Sequence, residues 1–286
     1  MLKGDYKAGF KNFESRFKMS KKIYIHAQPK IARWLGESPK KGEILLIISE
    51  QGLGDIIHFM RYIPYLRKKG YEIMFCAQES LHNLIKESGI DSKPLTPNQA
   101  HQITEGKYCP LLSLPLHLGV TQDNPIVSEP YISTKSKLTA KWKDVFKEEK
   151  LPIIGLSWQG NPEIEIRYGK GRSIALEAFS KLAKIDKFRF VSLQKGFGSE
   201  QLEKCSFKNK FVKSQELVSS TFDFLDTAAQ IQNCDLIITS DSCIAHLAGG
   251  MGKTTWVLLK YLFAERYGLE DRTFWYPSMK LFHQKE

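Results

Sequence analysis

One rhythm constrains this chain most: a short apolar run, a polar turn and a helical stretch, recurring in each half. Glu43–Ser49 (EILLIIS) is unbroken and Ile-rich, the pattern of a parallel strand buried on both faces. QGLGD follows, and IIHFMRYIPYLRKKG then reads as a helix ended by Gly70. Tyr71–Ala77 is the next strand and Ser80–Ser88 the next helix, giving a βαβ unit with a right-handed crossover. Pro110, Pro115, Pro125 and Pro130 break up a loop-rich region ending near Tyr131. The polar stretch STKSKLTAKWKDVFKEEK reads as an exposed connecting helix, and the rhythm restarts at Pro152. Strands are predicted at Ile153–Trp158, Phe188–Leu193, Leu236–Thr239 and Thr255–Leu259, and helices at Leu176–Lys184, Phe222–Asn233 and Ser242–Gly249.

These halves predict an α/β fold of two Rossmann-like domains, 43–135 and 136–262, facing a cleft. In such folds ligands bind outside the carboxyl ends of the strands. Residues 1–42 form a basic helical appendage. There Tyr6, Phe10, Phe13 and Phe17, spaced four, three and four apart, mark one helix face, expected to dock on the body of the protein. The segment is similar to the last helix of a tetratricopeptide array. Residues 263–286 form a C-terminal tail, with a return onto the N-terminal domain as one arrangement open to it.

The 286 residues carry 42 Lys and Arg against 31 Asp and Glu, a net charge of +11. Residues 1–42 hold 11 of the basic and 3 of the acidic groups, so +8 of the excess sits there. The nearly neutral remainder has no basic stripe with interleaved aromatics, which argues against nucleic acid as a partner. No apolar run approaches the roughly 18 residues of a membrane span, and MLKGDYKAGF lacks the apolar segment of a secretory leader. The five cysteines, Cys76, Cys109, Cys205, Cys234 and Cys243, include no C-x-x-C pair. Neither a disulfide framework nor a zinc site is expected, and a reducing cytoplasm suits the chain.

Four segments carry candidate chemistry. In Gln51-Gly52-Leu53-Gly54-Asp55, Gly52 and Gly54 allow a tight turn after a strand, and Asp55 falls near the start of the next helix. It is either a helix-capping carboxylate or a functional one; Ile57 in place of a third glycine removes a dinucleotide fingerprint. Gly249–Thr255 imitates a phosphate loop, but Leu247 stands where its first glycine belongs and a helix ends there instead of beginning. Thr239–Gly249 leaves a strand and opens a helix, with Ser242 and Cys243 at an anion-favouring start and His246 one turn on. Asp241 and His246 are either donor-site residues or a helix cap and a hydrogen-bonded core histidine. After Trp158 come Gln159, Asn161, Arg167, Lys170 and Arg172, and after the next strand Gln194 and Lys195. Amides suit base or ribose recognition, and Arg and Lys suit a diphosphate.

DTAAQIQNCDLIITSDSCIAHLAGGMGK, paired with Gly52–Pro64 (GLGD followed by a proline), resembles glycosyltransferase family 9, the heptosyltransferase family. GLSWQGNP and VSLQKG resemble the variant of that family fused behind tetratricopeptide repeats. The resemblance runs from about Gly4 to Phe282. It implies a two-domain GT-B type fold and transfer, with inversion and without a metal or other cofactor, from a nucleotide-diphosphate sugar. The implied acceptor is a glycan, lipid-linked or protein hydroxyl, with the enzyme in the cytoplasm and able to associate peripherally with the inner membrane surface. By the same resemblance Asp55 is the general base, and Asp241, Ser242 and His246 hold the donor. Arg172 is the best match for the diphosphate-binding cation and Lys195 the second. Family members often carry glycine or alanine where this chain has Cys243. A non-catalytic sugar-nucleotide or protein-binding module of the same fold is the alternative.

Overall fold

The computed structural model describes the chain apart from residues 20–24, 39, 169–170, 262–264 and 286, and describes the backbone alone at 164, 167, 168 and 265. Lys170, Pro39, the Arg167 side chain and the boundary expected at 262–263 therefore lie outside the described residues. The chain divides into two compact units, Met1–Ile132 and Ser133–Glu286.

The first unit is built on a parallel four-stranded sheet ordered β1-β4-β2-β3: β1 (Ala32–Arg33), β2 (Ile44–Ile48), β3 (Glu72–Cys76) and β4 (Lys107–Pro110). Central β2 pairs with β3 from Ile44↔Glu72 to Ile48↔Cys76, and Leu45–Ile48 are buried, as an uninterrupted apolar run requires. Its helices Leu53–Phe59 and Tyr62–Lys68 bury Ile56, Ile57, Ile63 and Leu66.

Segment 1–42 is part of this unit, not an appendage to it. The helix Tyr6–Phe13 buries Tyr6 and Phe10, the face that the aromatic spacing marks. It packs against the helix Leu114–Leu118. Farther on, Ala32–Arg33 pairs with Lys107–Tyr108 as an edge strand. An aromatic helix face and a short extended piece bury more apolar surface by packing on this unit than they would by projecting from it.

The second unit holds a parallel five-stranded sheet ordered β6-β5-β7-β8-β9: β5 (Ile153–Ser157), β6 (Arg189–Ser192), β7 (Leu236–Ser240), β8 (Thr255–Leu259) and β9 (Met279–His283). Every residue of β5 is buried. The helix Ser136–Val145, expected as an exposed connector, packs against the helix Phe224–Gln232; the Trp142 indole N–H donates to Asp226 Oδ1 at 2.8 Å. The C-terminal tail supplies β9, in register from Thr255↔Met279 to Leu259↔His283, so this strand belongs to the second unit and not to the N-terminal one. The physical reason is its period of two: Met279 and Leu281 are buried while Lys280 and Phe282 are exposed. The phosphate-loop imitation at Gly249–Thr255 joins a helix end at Gly250 to a strand start at Thr255, as its order of elements predicts.

Candidate functional site

In the first unit, the turn after β2 carries the strain of the local design. Gln51 adopts φ 61°, in the left-handed region that a side chain disfavours. Gly52 then caps the helix Leu53–Phe59, whose third residue is Asp55. The Gly52 N–H donates to Asp55 Oδ2 at 3.2 Å, so the carboxylate reaches back over the turn and is half-buried. The capping geometry and the presentation of a carboxylate at a strand's carboxyl end thus coexist in one residue.

In the second unit, the loops after β5, β6 and β7 carry the candidate donor-site residues. Arg172 lies flat against Gly160: a methyl group there would stand 2.3 Å from Nη2 and 2.6 Å from Nε. Glycine at 160 is what lets the guanidinium approach the chain so closely. Arg172 Nε is buried, lacks a hydrogen-bond partner among the described residues, and sits 4.0 Å from Glu165 Oε1. Burial pushes the Cys243 thiol up to about 11, while its backbone setting and the Arg172 charge pull the other way. The guanidinium thus acts electrostatically on Cys243, the first residue of the helix Cys243–Gly250. Ser242 caps this helix, accepting from Ile244 N–H at 3.3 Å and standing 3.0 Å from Thr239 Oγ1. Ser242, and not Asp241, is therefore the capping side chain.

Asp241 and His246 are linked through two tyrosines absent from the sequence reading. Tyr267 donates its hydroxyl to Asp241 Oδ1 at 3.0 Å, and its ring lies nearly parallel to His246, 6.1 Å away. Tyr276 Oη is 3.1 Å from His246 Nδ1. His246 is buried and joins the aspartate loop to the C-terminal segment. The signal for Tyr276 is the aromatic run FWYP, too apolar for a solvated tail; Tyr267 has no such signal around it.

The amides and the second cation are placed differently from the reading of loop groups turned toward a ligand. Gln194 is buried with its amide spent inside the protein. Its oxygen accepts from Ser157 Oγ and from the Trp158 and Gln159 N–H groups at 3.0–3.1 Å, and its nitrogen donates to the Gln159 and Phe197 carbonyls. It is a clasp between two strand-end loops. Gln159 Oε1 accepts from Gln201, and Asn161 Oδ1 accepts from Glu163 N–H to start a helix. Lys195 donates to the Val218 carbonyl with the Phe222 ring 6.0 Å away, and burial lowers its ammonium to about 8. The geometry thus brings Gly160 and Arg172 together, ties Asp241 and His246 to Tyr267 and Tyr276, and commits Lys195 to the Val218 carbonyl. Among the described residues no group of three or more His, Cys, Asp or Glu is arranged to hold a metal, and no helix is long and apolar enough to cross a membrane.

No protein-family model and no curated protein matches the sequence. Solved structures do match the fold. A glycosyl transferase family 9 protein from Veillonella parvula DSM 2008 aligns over 87% of this chain and 88% of its own, with a TM-score of 0.59 at 14% identity. The E. coli ADP-heptose lps heptosyltransferase II aligns over 84% and 90%, with a TM-score of 0.54 at 10% identity. The dodecameric iron-containing heptosyltransferase TibC, solved in complex with ADP-D-beta-D-heptose, aligns over 84% of this chain but 63% of its own, with a TM-score of 0.53 at 10% identity. The chain therefore has the α/β fold of these glycosyltransferase structures.

Proposed function

We propose that the chain is an inverting glycosyltransferase that moves a sugar from a nucleotide-diphosphate donor to a glycan, lipid-linked or protein hydroxyl, without a metal. The observation that carries this reading is Arg172: a guanidinium seated on Gly160, with a buried donor unmet among the described residues, whose charge acts on Cys243 at the start of a capped helix. A diphosphate supplies the acceptors that such a group lacks. The family 9 fold and the heptose donor bound by TibC support the nucleotide-sugar class.

In this mechanism Asp55 takes the proton of the acceptor hydroxyl as that oxygen forms a bond to the anomeric carbon. The bond from the anomeric carbon to the phosphate oxygen breaks on the opposite face, and the electron pair leaves with the nucleoside diphosphate. Arg172 and the partial positive charge at the start of the helix Cys243–Gly250 stabilise the departing charge. Asp241 and His246, held by Tyr267 and Tyr276, fix the loop that carries Ser242. The exposed Lys3, Lys7 and Lys11 suit peripheral association of a cytoplasmic enzyme with an anionic membrane surface.

Replacement of Asp55 by Asn tests the reading. Transfer from ADP-, GDP-, UDP- or CMP-linked sugars should be lost, while nucleotide affinity by calorimetry stays within about twofold. Wild-type chain that binds a nucleotide but transfers no sugar would mark the alternative, a binding module of the same fold.

A further inference from the structure

Glu50 stands between β2 and the turn that carries Asp55, and it is completely buried. Arg16 grips it with a two-pronged contact: Nε donates to Oε2 at 2.9 Å and Nη2 to Oε1 at 2.8 Å. Leu112 N–H donates to the same Oε1 at 3.1 Å. The guanidinium is itself fixed from every side. It donates to Glu14 Oε1 at 2.7 Å, to Ser113 Oγ at 2.9 Å and to the Phe13 carbonyl at 3.1 Å, and it lies over the Phe13 and Phe17 rings. Arg33 closes the cluster by donating to Glu14 and to Ser113. A second tether lies just past the undescribed 20–24 stretch. Ile25 bridges Glu50 in antiparallel fashion, and His26 N–H donates to the Ser49 carbonyl at 2.9 Å.

Both tethers end one or two residues before Gln51, whose left-handed backbone persists only where its surroundings over-determine it. A buried Arg–Glu pair is a poor way to add stability, because desolvation offsets its attraction. What a planar, two-pronged contact supplies is direction.

We propose that Arg16 is a positioning residue: through Glu50, the N-terminal segment holds the turn Gln51–Asp55 in the conformation that presents the Asp55 carboxylate. The inference rests on the general-base reading of Asp55. It is tested on the full chain with Arg16→Met, Arg16→Lys and Glu50→Gln. Arg16→Met should lower kcat about tenfold or more, since small misplacements of a reacting group cost that much. Donor KM and ADP affinity, which a general loss of structure would also damage, should stay within about twofold. Arg16→Lys, able to restore a single prong, should recover part of kcat. In hydrogen exchange, peptides covering residues 49–55 should exchange about tenfold faster in Arg16→Met, with peptides of the second unit unchanged. Wild-type kcat and protection in a folded Arg16→Met would overturn the proposal, as would a parallel loss of ADP affinity. If Arg16→Met fails to fold, Glu50→Gln carries the same comparison, because its amide still fills the site beside Leu112. If the wild type transfers no sugar, the Asp55 reading fails by itself, and the exchange rates still decide whether Arg16 holds the turn.

Discussion

Gly160→Ala isolates the contact on which the donor reading depends. The added methyl would lie 2.3 Å from Arg172 Nη2, 2.6 Å from Nε and 2.7 Å from Cζ. Carbon and nitrogen settle at roughly 3.5 Å or more, so the guanidinium must retreat by about 1 Å. It is the end of a flexible chain, and Gly160 is not among the residues with positive φ, so the backbone takes alanine without strain. Loss of glycine freedom in the unfolded chain even favours the variant by about 0.4–1 kcal/mol. Folding stability should therefore change little. Ligand binding should not be spared: a hydrogen bond to a charged group is worth about 1.5–3 kcal/mol. Converted to affinity, that range is about 10- to 150-fold in Kd. Calorimetric titration with ADP and the other nucleoside diphosphates reads this directly, with a thermal melt as the control. Arg172→Ala should match the loss, and the double variant should be no weaker than Arg172→Ala alone, because both changes remove one contact. An unchanged Kd in Gly160→Ala, or additive losses in the double variant, would refute the placement of Arg172 on the phosphates.

Other expectations follow from the same geometry. Lys195→Met should weaken nucleoside diphosphate binding less than about threefold, against tenfold or more for Arg172→Ala, because its ammonium is committed to the Val218 carbonyl. Equal losses in titration would show that Lys195 leaves that carbonyl to meet the ligand. Tyr276→Phe removes the hydroxyl beside buried His246 Nδ1 and should cost about 1–3 kcal/mol in urea unfolding, with ADP affinity falling as the aspartate loop loosens. Acid should loosen the N-terminal cluster. Burial opposes the Glu14 charge, but hydrogen bonds from Arg16 and Ser113 and the field of Arg33 outweigh it and hold the carboxyl below its ordinary 4.5. Stabilisation from Glu14 is therefore complete above pH 4.5 and is lost as pH falls through the lower folded value. Denaturant midpoints compared at pH 7 and pH 3 should fall less in Glu14→Gln than in the wild type.

The strands and turns that the sequence reveals are those whose cause is local. β2 and β5 are unbroken apolar runs followed by turns, and they fall within a residue of their expected ends. β1 and β4 were invisible for the opposite reason. Two residues of one and KYCP of the other have no period to detect, and only the neighbouring strand makes them extended. β9 did carry a period of two, but it stood in a stretch read as a tail. The site divides in the same way. Asp55, Arg172 and Ser242 are positioned by the loops in which they occur, so a local pattern marks where each of them lies. Gln194 reads in sequence as a donor-binding amide, because a sequence does not show that three donors from Ser157–Gln159 already converge on its oxygen. Tyr267 and Tyr276 lie 26 and 30 residues beyond the groups that they hold, a pairing created by the fold alone.

The +8 of the first 42 residues divides along that line as well. Arg16 and Arg33 are consumed inside the first unit by Glu14 and Glu50, where planar forks fix geometry at short range. Lys3, Lys7, Lys11, Lys18, Lys30, Lys40 and Lys41 are exposed, so their charge acts as a field and not as a set of bonds. Salt separates the two roles: exposed charges are screened beyond about 8 Å at physiological ionic strength, whereas the buried cluster is shielded much less. One short segment therefore holds two electrostatic devices with different ranges. The arginines tie the N-terminal segment to the residues before the turn that carries Asp55, and the exposed lysines act through a field that salt weakens.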